Sequence, residues 1–100
     1  MADTVTGKYL YFDSTNEVIT QWVNIQLIMW VSSAARRIVD DNDFLLQDGE
    51  GTPIFGKRAE QEYHSFVHWY GPEGLTLHGI DIQTLDGGVV WIVLKDEIRT

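Results

Sequence analysis

WVNIQLIMWVS, residues Trp22 to Ser32, is the longest apolar segment of the chain and contains no Gly, Pro or charged residue. At period two it separates into two faces. Val23, Ile25, Leu27, Met29 and Val31 lie on one; Trp22, Asn24, Gln26, Ile28, Trp30 and Ser32 lie on the other. Alternation of this kind marks a β-strand with one face in a core, so the odd-numbered set is expected inside. The even-numbered face, where two tryptophans flank two amides and an isoleucine, is then a candidate contact surface. The competing reading is one helix over residues 17 to 39, because Val18, Trp22, Ile25 and Met29 also fall at helical spacing. The β-branched and aromatic content and the alternation of Asn24 and Gln26 favour the strand.

Upstream, residues 1 to 6 are expected to fray. Gly7 opens KYLYFD, in which Tyr9 and Tyr11 oppose Leu10 and Phe12 across a short strand, and Asp13-Ser14-Thr15-Asn16 is turn chemistry. The chain re-enters a strand near Val18. Downstream, Ser32 to Arg37 reads as a crossing connection with room for a helical turn. Asp40-Asp41-Asn42-Asp43 is too polar to lie inside a sheet.

Phe44–Gln47 and Thr52–Phe55 flank Asp48-Gly49-Glu50-Gly51, the pattern of a β-hairpin with a four-residue loop. Pro53 cannot donate to a ladder, which places its strand at an edge or makes it begin there. Residues 56 to 62 read as exposed. Tyr63 to Tyr70 alternates imperfectly and ends at Gly71-Pro72-Glu73-Gly74. In the next strand the apolar phase slips from Leu75 and Leu77 to Ile80 and Ile82, which predicts a β-bulge at His78 or Gly79. Leu85-Asp86-Gly87-Gly88 is the strongest short turn signal. Val89 to Leu94, VVWIVL, is apolar on both faces, as expected of a central strand or one covered by a partner. Lys95 to Thr100 reads as a charged tail, flexible over residues 96 to 100.

The whole is an all-β pattern: a single domain over residues 1–100, an antiparallel β-sandwich or flattened barrel of about seven or eight short strands. One hundred residues support one core and no second.

Fifteen acids against seven bases give a net charge of −8. An acidic surface repels phosphate backbones and anionic lipid, which argues against nucleic-acid and membrane partners. The absence of cysteine excludes disulfide frameworks, thiolate nucleophiles and Cys-based zinc sites. MADTVTGK lacks the basic and apolar regions of a secretory leader. The ten residues from Trp22 to Val31 are about half of a membrane-spanning helix. A soluble protein is expected.

Chemistry-bearing residues are sparse. His64 and His68 would share a metal on a helix, but on a strand they stand roughly 13 Å apart. Asp40, Asp41, Asp43, Asp48 and Glu50 are the candidates for a weak cation site between the 40–43 turn and the 48–50 loop. They miss the EF-hand pattern, since Leu46 and Thr52 occupy its sixth and twelfth positions. Ser65 adjoins His64, yet neighbours on a strand point to opposite faces. With no nucleophile elbow and no Gly-rich phosphate loop, the expectation is a non-enzymatic protein without a catalytic residue, cofactor or resident metal. Arg36-Arg37 and Lys57-Arg58 are either anchor pairs for an acidic partner or solvated loop charges. Four tryptophans beside eight Tyr and Phe are too many for one small core, and exposed aromatics beside amides are interface composition. The candidate interface is Trp22, Asn24, Gln26, Ile28 and Trp30, together with Trp69.

KYLYFD, IVDDND leading into FLLQDGEGTPIF, and LDGGVVWIVL resemble small acidic all-β proteins encoded among the virion structural genes of tailed bacteriophages. The resemblance implies an assembly role, as a head-decoration, head–tail or tail-associated subunit. Such a subunit binds copies of itself or a larger virion protein, and it resides in the virion or the host cytoplasm. The competing class is a monomeric ligand-binding β-module, for example for carbohydrate, that stacks sugars on exposed tryptophans.

Overall fold

A computed structural model describes residues 7–15 and 18–98; the expectations for residues 1–6, 99 and 100 lie outside it. The described residues form seven strands and no helix: β1 (Gly7–Phe12), β2 (Val18–Val31), β3 (Asp43–Gln47), β4 (Pro53–Arg58), β5 (Phe66–Trp69), β6 (Leu75–Leu85) and β7 (Val89–Ile98). Every pairing is antiparallel. The strand order is β1-β7-β2-β6-β3-β4, with β5 also on β2.

The fourteen-residue β2 organises the fold. Its first half, Val18 to Ile25, pairs with β6. Its second half pairs with β7 on one side and β5 on the other. One continuous sheet is thereby divided into two layers, β1-β7-β2-β5 and β2-β6-β3-β4, with β2 running through both. The layers meet over one apolar cluster, where the Trp30 ring lies 5.6 Å from that of Phe44. At the far side Phe55 of β4 approaches His68 of β5 at 5.6 Å. The architecture is a flattened, barrel-like β-sandwich, as the alternation predicts.

The corner between the layers is set at Gln26. Ile25 pairs with Leu94 and Leu27 with Val93, so β2 spends one residue more than β7 at this point. Here the inserted residue reverses which parity faces the core. Before Gln26 the buried residues are odd, Ile19, Val23 and Ile25; after it they are even, Ile28 and Trp30. The expected inward positions of Leu27, Met29 and Val31 are therefore corrected: they lie on the outer face, half-buried.

Gly79 faces the second irregularity, although the bulge expected at His78 or Gly79 lies on the partner strand instead. It has φ +90°, and a Cβ there would stand 2.6 Å from the Ile19 carbonyl oxygen. The extra residue is on β2, not β6, because the register shifts between Ile19 and Trp22 opposite this glycine. The Gly49 N–H donates to the His78 carbonyl at 2.8 Å, fastening the β3–β4 hairpin tip to the same spot.

Elsewhere β4, which carries Pro53, is an edge strand, and β7 is central between β1 and β2. Three expectations are revised. Ser32 to Arg37 contains bends and no helical turn. Lys95 to Ile98 continue β7 rather than forming a tail. Within residues 56–62, which are otherwise exposed as expected, Ala59 is buried.

Candidate functional site: an apolar sheet face

The register of the β1-β7-β2-β5 layer places two ranks of side chains on its outer surface. Tyr11 pairs with Trp91, Trp91 with Met29 and Met29 with Val67; in the next rank Tyr9 pairs with Val93, Val93 with Leu27 and Leu27 with Trp69. All eight are apolar or aromatic. Directly paired residues on one face have Cβ atoms about 5 Å apart, so the ranks form one continuous patch. Tyr9 is 63 % exposed, Val67 62 %, Trp69 65 % and Trp91 38 %. Tyr11 is covered by Trp91, whose ring centroid lies 4.7 Å away.

This surface follows from the bulge at Gln26. A bulge-free β2 would carry Leu27 and Met29 into the core and present Ile28 and Trp30 outside. Instead Ile28 and Trp30 are fully buried, which corrects their place in the candidate interface. The Trp30 ring stacks on Phe66 at 5.4 Å, and its indole Nε1 donates to the Gly87 carbonyl at 2.8 Å. It is a core anchor with its one polar group satisfied.

The other candidate contact residues divide. Trp69 lies on the apolar face. Asn24 and Gln26 are half-buried and brace the 71–74 turn: Asn24 Nδ2 donates to the Glu73 carbonyl at 2.9 Å, and Gln26 Nε2 to the Pro72 carbonyl at 3.1 Å. Trp22 is 67 % exposed but belongs to the other half of β2, stacked on His78 at 4.6 Å. It borders a cleft of about 300 Å³, where β7 separates from β2 beyond Leu94, lined by Gln21, Asn24, Thr76, Asp96 and Glu97 as well.

The acidic residues are not brought together. Asp43 and Asp48 mark opposite ends of β3, about 16 Å apart at the rise of an extended chain. Arg58 donates to both Asp43 carboxylate oxygens, Nε at 2.8 Å and Nη2 at 3.0 Å. That hydrogen-bonded pairing lowers the Asp43 pKa below its ordinary value, against a smaller desolvation effect. Asp48 Oδ1 accepts from the N–H groups of Glu50 and Thr52, shaping its own turn. Glu50 faces His78 at 3.3 Å. Asp40 and Asp41 stay at the 40–43 turn, so the cation site proposed across the two loops does not form. No cluster of three or more His, Asp or Glu able to hold a metal occurs among the described residues.

The basic pairs are engaged within the chain. Arg36 donates to the carbonyls of Gly88 at 2.9 Å and Leu85 at 3.0 Å, and Arg37 meets Glu62 at 2.9 Å. Lys57 lies over the Phe55 ring at 5.7 Å. His64 Nδ1 accepts from the Glu60 N–H at 3.2 Å, outside any strand.

No protein-family model matches the chain, no curated protein matches it in sequence, and no solved structure matches it.

Proposed function

We propose that the protein is a non-enzymatic assembly subunit that acts by docking the outer face of its β1-β7-β2-β5 layer onto another protein surface. The observation that supports this is the two-rank apolar patch, continuous across four strands. The largest apolar patch of a small protein, a few hundred Å² in size, is often its functional contact surface. The acidic remainder of the chain favours solubility of the unassembled subunit. The resemblance to phage virion proteins supplies the setting: an accessory head, head–tail or tail-associated subunit, located in the virion or the host cytoplasm.

Position-resolved photo-crosslinking in the producing cell tests the reading. Benzoylphenylalanine at Tyr9 or Val67, on the face, is expected to capture a protein chain; at exposed Gln83, on β6, it is not. Crosslinking that is absent, or independent of position, contradicts the docking role.

The Trp22 cleft favours a second reading, a saccharide-binding module in which the exposed indole stacks on a sugar ring beside Gln21, Asp96 and Glu97. Titration with neutral oligosaccharides, followed by tryptophan fluorescence, discriminates it. Saturable quenching that disappears in Trp22→Ala supports the module, and an unchanged spectrum removes it.

A further inference from the structure

We infer that the occupant of the apolar face is a second copy of this chain, packed face to face about a two-fold axis lying in the plane of contact. The inference rests on the docking role proposed above and adds the identity of the partner. Three observations carry it.

The first is charge. With a net charge of −8, two copies repel over most of their surface, and like charges brought together across an interface are strongly unfavourable. The two ranks contain no ionisable group other than the tyrosine hydroxyls. This face is where two copies can meet without opposing carboxylates.

The second is relief. Tyr9 and Trp69, both largely exposed, stand at the ends of one rank with the shorter Val93 and Leu27 between them. That rank is a hollow framed by aromatic rings. Trp91, in the neighbouring rank, keeps 38 % of its surface open where its ring lies over Tyr11. A two-fold contact brings the same patch of both copies together, so the patch must be complementary to itself. Here Trp91 of one copy can enter the hollow between Tyr9 and Trp69 of the other, and the reverse contact follows by symmetry.

The third is area. The exposed fractions of Tyr9, Val67, Trp69 and Trp91, with aromatic side chains of about 150–250 Å² each, leave about 500 Å² of apolar surface open. A stable pair of small proteins buries about 800 Å² per partner, with a polar rim around an apolar centre. The patch has the size of such a centre.

Sedimentation equilibrium of the purified full chain tests the inference. The wild type is expected to have twice the chain mass. Val67→Asp and Trp69→Lys, each at an exposed position, are expected to keep the wild-type circular dichroism and to weaken dimerisation at least tenfold. Trp22→Lys, on the other half of β2, is expected to dimerise normally. A monomer up to the solubility limit, or a dimer that both face substitutions leave intact, overturns the inference; a trimer or larger ring overturns the two-fold arrangement. If the chain is monomeric yet benzoylphenylalanine at Val67 captures a different protein, the second copy is excluded and the docking role stands. If neither association is found, both fail.

Discussion

The carbonyl of Gln26 accepts a hydrogen bond from the Tyr70 N–H at 2.8 Å, at the point where β2 carries one residue more than β7. This contact anchors the corner of the sheet. At Tyr70 the chain has just left β5; it turns through residues 71–74 and starts β6 on the same side of β2. The single inserted residue decides which tryptophan is core and which apolar side chains remain outside.

Deletions along β2 test that statement. Removing Gln26 leaves Ile25 inward, Leu27 outward and Ile28 inward, so the variant is expected to fold cooperatively with reduced stability. Removing Met29 turns Trp30 outward and is expected to abolish folding, since a one-residue shift moves every later side chain to the wrong face. Urea unfolding checks both. Equal loss of structure in the two deletions contradicts the role of Gln26 as the inserted residue.

Trp30→Ala is expected to destabilise the fold by about 3–5 kcal/mol, the usual cost of truncating a fully buried large aromatic side chain. The Gly87 carbonyl loses its indole donor at the same time. A loss below about 1 kcal/mol in chemical denaturation would place Trp30 outside the core.

Gly79 and Gly51 form a matched pair. Both have positive φ, +90° and +86°, but a Cβ at Gly51 meets open space, whereas at Gly79 it meets the Ile19 carbonyl. Gly51→Ala is expected to cost about 1–2 kcal/mol for the backbone conformation alone. Gly79→Ala is expected to exceed it by at least about 1 kcal/mol, because backbone must also move. Equal midpoints in urea would show that the close approach at the bulge carries no weight.

The Asp43–Arg58 pair gives a sign for pH dependence. Hydrogen bonding from Arg58 holds the folded-state pKa of Asp43 below its unfolded value. The stabilisation is therefore present above the unfolded pKa, from about pH 4 upward, and is lost as pH falls through the lower folded value. Arg58→Gln is expected to narrow the stability difference between pH 5 and pH 2. An unchanged difference in paired urea titrations contradicts the coupling.

The fold was legible because its main signals are local. Alternation over Val18–Val31, the Asp-Gly turns and the phase slip at Gly79 each reflect one backbone requirement carried by neighbouring residues. The outer face was not legible in the same way. The two halves of Trp22–Ser32 alternate without a visible break, and Gln26, a polar residue among polar and apolar alternates, gives no glycine to mark its bulge. Read at one phase throughout, the stretch assigns Trp30 to the surface and Leu27 to the core. The apolar patch joins residues from four separate segments, so it exists only once the register is fixed. VVWIVL did carry a signal for it: an apolar second face on β7, reported by Trp91 and Val93. Trp69 was found from composition alone, and Asp43, Asp48 and Glu50 could not be separated from a cation site until their distances along β3 were known.

Fluorine NMR on the full chain labelled with 5-fluorotryptophan reads the central claim at each of its four tryptophans. As concentration rises through the association range, the Trp69 and Trp91 resonances are expected to shift together while those of Trp22 and Trp30 stay fixed. A shift confined to Trp22, or four resonances that never move, would contradict the assignment of the β1-β7-β2-β5 face as the surface where copies meet.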